Sequence, residues 1–239
     1  MTIKALVFDA YGTLYDVHSV YKKTEELCPG HGDLITQIWR LKQLEYTWLQ
    51  TSLQTYRDFT FLTRASLVFS LKAAGVEPTE TIIETLFQKY LDLDPYPESR
   101  EALEQLKSYK LAILTNGSQF MIDSLVKNSG FDKILDASIS VDGASKFKPH
   151  PAAYALVEQK FGVKPEEVLF VSSNSFDVTG AKAFGFRVAW IRRVPEGGAP
   201  AYPVGPAEMY RRLRSRPEEL GFVADHEVNR LTDLPKLLA

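Results

Sequence analysis

Residues 5–14 read Ala5-Leu6-Val7-Phe8-Asp9-Ala10-Tyr11-Gly12-Thr13-Leu14. An apolar run leads straight into a carboxylate, and a glycine follows close behind. A run this short and this apolar, closed by Gly, predicts a buried strand entering a tight loop. Further along, Leu111–Leu114, Ile134–Ile139, Val168–Val171 and Arg187–Ile191 have the same character, and helical patterns at about 118–129, 150–161 and 176–184 separate them. Alternating strands and helices imply a parallel sheet covered on both faces. The expected fold class is therefore α/β, with a Rossmann-like parallel sheet as its core.

The stretch from about 16 to 95 interrupts that alternation with helix-like segments and no convincing strand. Leu34, Ile38, Leu41 and Trp48 share one helical stripe, and Phe61, Ala65, Leu67 and Leu71 approximate another. Pro95-Tyr96-Pro97 punctuates the end. The expected organisation is a core of residues 1–15 and 96–239 with an inserted helical cap, residues 16–95. Val194–Pro206, rich in Gly and Pro, reads as a loop. The stretch to Tyr210 reads as a surface loop, with reshaping of the entrance or an interface as alternatives.

The 239 residues are 45% hydrophobic, enough for a substantial core, and the formal net charge of -2 offers no broad basic field for nucleic acid or an anionic membrane. A small-molecule substrate is the expectation. Cys28 is the one cysteine, so neither a disulfide framework nor a cysteine-based zinc site can form. The N-terminal run reaches a charge too soon for a signal peptide, and no apolar run approaches the roughly 20 residues that span a bilayer. A cytoplasmic setting fits. His18, His31, His150 and His226 show no regular metal spacing, and His150 reads as a loop or helix-start residue. No Ser-His-Asp arrangement with a nucleophile elbow is visible.

In open parallel sheets, ligands bind beyond the carboxyl ends of the strands. The polar residues at those ends are Asp9, then Thr115-Asn116-Gly117-Ser118, then Ser172-Ser173-Asn174, and Lys148 can join them from a loop before a helix. Segments far apart in sequence thus converge on one crevice. Taken singly each has a plainer reading: Asp9 as a turn residue, Lys148 as a surface lysine before proline, Asp177 as a carboxylate at a helix N-terminus.

Taken together, Asp9 to Thr13, Thr115-Asn116, Lys148-Pro149 and Ser172 to Asp177 resemble the four motifs of the haloacid dehalogenase superfamily. Metal-dependent phosphatases of that superfamily carry a second Asp two positions after the nucleophile, where this chain has Tyr11, and an acidic metal ligand where it has Ser173. Magnesium prefers carboxylate oxygens, and a phosphate dianion needs its charge neutralised, so both substitutions argue against phosphoryl transfer. The remaining pattern is similar to the L-2-haloacid dehalogenase family. Phe8 to Leu14, Trp39-Arg40, Leu44-Glu45-Tyr46-Thr47-Trp48-Leu49, Lys148-Pro149-His150, Val171 to Asn174 and Asp225-His226-Glu227-Val228 carry that similarity.

The resemblance implies the haloacid dehalogenase fold and a two-stage hydrolysis with no cofactor and no metal. Asp9 displaces halide from the α-carbon of a short L-2-haloacid, and water then cleaves the aspartyl ester to release a D-2-hydroxy acid. Halide leaves as an anion without a proton, so the site needs donors where its charge develops rather than a general acid. By resemblance, Arg40, Asn116 and Phe176 cradle the halide. The substrate carboxylate goes to Thr115 and to the N–H groups of Ala10 and Tyr11, while Tyr11, Leu44 and Phe59 form an apolar roof. Lys148 keeps Asp9 ionised, Asp177 orients or activates water, Thr13 and Asn174 hold the carboxylates, Ser172 and Ser173 do likewise or only cap the local backbone, and Tyr154 is a further functional position. Partners reduce to the 2-haloacid, the halide ion and, by resemblance, a second copy in a homodimer. The rivals are a haloacid dehalogenase-like phosphatase acting on a small phosphate ester, and a non-catalytic binding protein that keeps the fold.

Overall fold

A computed structural model of the chain describes residues 2–193 and 204–238. Strand β1 (Ala5–Phe8) is followed by four helices, α1 (Tyr21–Leu27), α2 (Gly32–Ser52), α3 (Phe59–Ala73) and α4 (Glu80–Tyr90). After α5 (Ser99–Gln105), strands and helices alternate: β2 (Lys110–Thr115), α6 (Gln119–Ser129), β3 (Ala137–Ser140), α7 (Pro151–Phe161), β4 (Val168–Ser172), α8 (Ser175–Phe184) and β5 (Arg187–Ile191). Helix α9 (Pro206–Arg214), β6 (His226–Val228) and α10 (Leu234–Leu238) complete the chain.

The strands form one parallel sheet in the order β3-β2-β1-β4-β5-β6, with Phe8 level with Ile113 on one side and Val171 on the other. The α/β core with a helical insertion after β1 is thus the architecture observed. Successive strand residues point to opposite faces, and β1 is fully buried on both. Leu6 and Phe8 join the apolar cluster that runs into α2 to α4, while Ala5 and Val7 join the cluster under α7 and α8. The order reverses at β1, because the chain moves outward through β2 and β3 and then returns to lay β4 on the other side. That reversal opens a crevice at the carboxyl end of β1, next to Asp9.

Several sequence expectations need correction. The third strand begins at Ala137, not Ile134. Ile134 and Leu135 pack against the core from a turn, so their apolarity reflects packing rather than strand pairing. Strand β6 lies in His-Glu-Val, which has no strand signal of its own and gains its structure from the edge of β5.

The deep face of α2 is Ile35, Trp39, Arg40, Gln43 and Thr47; Leu34 and Ile38 are half-buried and Trp48 is exposed. Polar side chains can lie inside there because α3 and α4 satisfy them. Trp39 Nε1 donates to the Thr63 carbonyl (2.8 Å), Gln43 Nε2 to Thr63 Oγ1 (3.0 Å), and Tyr90 Oη to Gln43 Oε1 (2.9 Å). On α3 the buried stripe is Phe59, Leu62, Ser66, Leu67, Ser70 and Leu71, with Phe61 exposed. The Gly- and Pro-rich stretch falls mostly on 194–203, outside the described residues, but Pro206 to Tyr210 lie in α9 rather than in a loop. No helix among the described residues is long and apolar enough to cross a membrane.

Candidate active site

Asp9 is the first residue beyond β1, and its N–H still donates to the Val171 carbonyl (2.9 Å), which fixes the backbone at the crevice. Both carboxylate oxygens are engaged. Oδ1 accepts from Lys148 Nζ at 2.9 Å, and Oδ2 accepts from Asn174 Nδ2 at 2.7 Å and from Thr13 Oγ1 at 3.1 Å. Asn174 Nδ2 also donates to the Tyr11 carbonyl (3.0 Å), so one amide ties the carboxylate to its own loop. Gly12 has φ +86 in that loop, the left-handed region that glycine adopts at no steric cost.

Lys148 is 1% exposed, contrary to a surface role. Its ammonium bridges Asp9 and Asp177 Oδ2 (2.7 Å) and also donates to the Leu114 carbonyl (3.0 Å). Burial works against its charge, but Asp177 and Asp9 outweigh that and hold the lysine above its ordinary range. Asp177, fully buried on the first turn of α8, is pushed up to about 6 by desolvation, with Lys148 opposing and Asp9 adding to the rise. Its Oδ1 accepts from Tyr154 Oη at 2.8 Å. Tyr154 therefore reaches Asp9 only through Asp177, and its ring packs among Phe170, Phe184 and Phe186.

Across the crevice, Arg40 is buried on α2. Desolvation opposes its charge, but Tyr90, Tyr210 and Asp9 raise it beyond its usual value, and the hydroxyls of Tyr90 and Tyr210 lie within hydrogen-bonding reach of it. Its Nε is buried without a partner. So is Tyr11 Oη, which lies against Gly117, while the Tyr11 ring packs on Phe59 and Tyr90 with centroids 5.6 and 5.5 Å apart. Among the described residues the N–H groups of Ala10 and Tyr11 donate to no protein acceptor. These unspent donors beside Asp9 suit an anion.

The other predicted positions divide. Asn116 Oδ1 accepts from the Lys148 N–H (2.8 Å), which leaves Nδ2 as the amide's donor end. Thr115 Oγ1 accepts from the Gly117 N–H (3.0 Å) and keeps its own proton to donate. Phe176 is half-buried and meets Trp48 edge-on at 5.5 Å, and Leu44 is half-buried on α2. Ser172 does not touch either carboxylate; its Oγ accepts from the Asn174 N–H (3.1 Å), a local cap at the strand end. Ser173 does not either, since its N–H donates to Thr13 Oγ1 (2.9 Å) and its hydroxyl to the Gly12 carbonyl (2.6 Å). His150 caps α7 through Nδ1 (3.1 Å to the Ala152 N–H), as its position predicts. Among the described residues no group of three or more His, Cys, Asp or Glu is arranged to hold a metal ion.

Residues 3–185 match the family model of haloacid dehalogenase-like hydrolases. The chain is also 48% identical over 240 residues to (S)-2-haloacid dehalogenase from Xanthobacter autotrophicus, covering 99% of this chain and 95% of that one. This chain belongs to the (S)-2-haloacid dehalogenase family. Another relative in that family's neighbourhood is haloacetate dehalogenase H-2 from Moraxella sp. (strain B), 47% identical over 193 residues, with 80% of this chain and 86% of the relative covered. The solved L-2-haloacid dehalogenase from Xanthobacter autotrophicus with chloropropionic acid covalently bound superposes with a TM-score of 0.93 at 46% identity, covering 99% of this chain and 98% of that one. The (S)-2-haloacid dehalogenase assignment agrees with the family resemblance read from the sequence. Tyr210, Arg193 and Arg214 also surround the site; no strand-end argument points to them, and Arg193 Nη2 donates to the Thr13 carbonyl (2.7 Å).

Proposed function

We propose that this protein hydrolyses short-chain L-2-haloacids to D-2-hydroxy acids through an ester on Asp9. The observation that carries the reading is the buried ammonium of Lys148, shared between Asp9 and Asp177. A carboxylate held in place by that cation, by Asn174 and by Thr13 is positioned as a nucleophile toward carbon. Residues 16–95 act as the cap over a core of 1–15 and 96–239. The setting is cytoplasmic and the assembly a homodimer, proposals that rest on the single, buried Cys28 and on the family resemblance.

In the first stage Asp9 attacks the α-carbon opposite the halogen and inverts it. Carboxylate binding falls to Thr115 and the Ala10 and Tyr11 N–H groups. Arg40, the Asn116 amide and the ring edge of Phe176 receive the departing halide. The ester removes the negative charge from Asp9, so Lys148 then bears mainly on Asp177. In the second stage ionised Asp177 takes a proton from water, which attacks the ester carbonyl and restores Asp9. Tyr11, Leu44 and Phe59 exclude bulk water meanwhile.

The direct test is halide release from L-2-chloropropionate, its D isomer and fluoroacetate, with and without EDTA. EDTA-resistant release from the L isomer is expected. Phosphate release from esters that EDTA abolishes, with no halide from any haloacid, would move the assignment to the phosphatase.

Two further outcomes follow from Asp177. Asp177→Asn is expected to release about one halide per site and then stall, with the substrate remnant on the Asp9 peptide by mass spectrometry, because only the water step needs the base. In the unmodified enzyme the group must be ionised to act, and burial lifts it to about 6. Asp9 adds to that rise, so in the ester, where its charge is gone, Asp177 titrates lower: decay of preformed ester in a single turnover should accelerate as pH rises toward about 6 and level off by then. A rate independent of pH across that window would remove Asp177 from the water step.

A further inference from the structure

Arg214 is the last residue of α9, outside every motif and beyond the 3–185 family match. Its Nη2 nevertheless donates to Ser173 Oγ at 2.5 Å, and its Nη1 to Tyr210 Oη at 3.3 Å. The guanidinium lies flat on the nucleophile loop: a Cβ at Gly12 would stand 2.8 Å from Nη2. Among the described residues it makes no ion pair with a carboxylate, unlike Arg193, which is paired with Glu98. Its Nε is buried and has no hydrogen-bond partner.

Ser173 is the junction that gives this contact meaning. Its hydroxyl accepts from Arg214 and donates to Gly12, its N–H donates to Thr13 Oγ1, and Thr13 in turn donates to Asp9 Oδ2. A chain of donors thus runs from a helix outside the motifs to the Asp9 carboxylate at Oδ2, and each link orients the next. Ser173 stands where the sequence pattern puts the metal-ligating acid of the phosphatases. Here the serine is clamped by a cation that the chain itself supplies, and charge-assisted bonds of this kind are roughly twice as strong as neutral ones. Through Tyr210, which also reaches Arg40, the same arginine connects the nucleophile loop to the opposite wall.

We propose that Arg214 is a positioning residue for the nucleophile: by clamping Ser173 it fixes Thr13, and with it the Asp9 carboxylate, in the attacking geometry. The proposal rests on the dehalogenase reading. It concerns the reacting group and not the substrate, so its loss falls on kcat. A cavity of about 450 Å³, lined by Arg214, Arg193, Tyr210 and His18 among others, adjoins the guanidinium and gives a small solute access to its place.

Arg214→Ala is expected to lower kcat for halide release roughly ten- to a hundredfold, as small misplacements of reacting groups do, with KM changed less than about twofold. Millimolar guanidinium sulfate should restore much of the loss, and sodium sulfate at equal ionic strength should not. Ser173→Ala breaks the same chain with a smaller change and covers the case in which Arg214→Ala does not fold. The double variant should be no slower than the slower single one. An unchanged kcat, a loss confined to KM, no rescue by guanidinium, or additive losses in the double variant would each overturn the proposal while the unmodified enzyme still dehalogenates. If the unmodified enzyme releases halide from no 2-haloacid, the functional reading falls and the proposal falls with it.

Discussion

Asp9→Asn is expected to abolish dehalogenation, lowering halide release by roughly 10⁴-fold or more, the scale seen when a covalent nucleophile is removed. The amide keeps the shape of the side chain and can still meet Thr13, but it has no anionic oxygen to displace halide. The fold should survive, because Lys148 keeps its 2.7 Å contact with Asp177 and the Leu114 carbonyl. A circular-dichroism spectrum and a melting curve close to those of the unmodified protein, together with absent turnover and absent ester, would separate lost chemistry from lost structure. A non-catalytic binding protein would instead tolerate the change.

Lys148→Met should be as damaging to activity and far more so to stability. The cation is buried between two carboxylates, and removing one member of such a cluster typically costs about 3–5 kcal/mol because the remaining charges lie unpaired in a poor solvent. The sign of the pH dependence follows from Asp177. Its folded pKa is raised above the ordinary value of 3.8 to about 6 even with Lys148 present. A raised carboxylate loses stability as pH climbs from the unfolded value to the folded one, since the folded state then binds more protons than the unfolded state. Without the lysine the rise is larger and extends to higher pH. Urea unfolding at several pH values should show the gap between variant and unmodified protein widest at neutral pH and narrowing toward acid. A gap that is constant, or that widens in acid, would contradict the shared-lysine account.

Much of this site was legible before any coordinates, for a physical reason. A parallel sheet buries its strands on both faces, so polar residues that follow apolar runs must sit at strand ends, where ligands bind. Asp9, Thr115, Asn116 and Asn174 were identifiable on that ground, with Lys148 joining them from a loop, and the haloacid dehalogenase resemblance added Arg40 and Asp177. Hydrophobic periodicity misread α2 because it assumes that the deep face is apolar. The deep face carries Arg40, Gln43 and Thr47, with Gln43 satisfied by side chains of α3 and α4. Ser172 and Ser173 read either as partners of the carboxylates or as local backbone caps, and loop geometry decides for the backbone: Ser172 Oγ accepts from the Asn174 N–H and Ser173 Oγ donates to the Gly12 carbonyl. Arg214 was the least visible. Only the Gly205-Pro206 start and the amphipathic run after it hint at a helix, and nothing local says that its last arginine returns to the nucleophile loop.

The question of which atom first bonds to the substrate carbon can be put to oxygen isotopes. With enzyme in excess, a single turnover of L-2-chloropropionate in H₂¹⁸O should yield lactate whose new hydroxyl carries ordinary oxygen, taken from the Asp9 side chain, while the Asp9 peptide becomes heavier by one ¹⁸O. Labelled lactate and an unlabelled peptide would mean that water attacks the carbon itself, and Asp9 would not be the nucleophile.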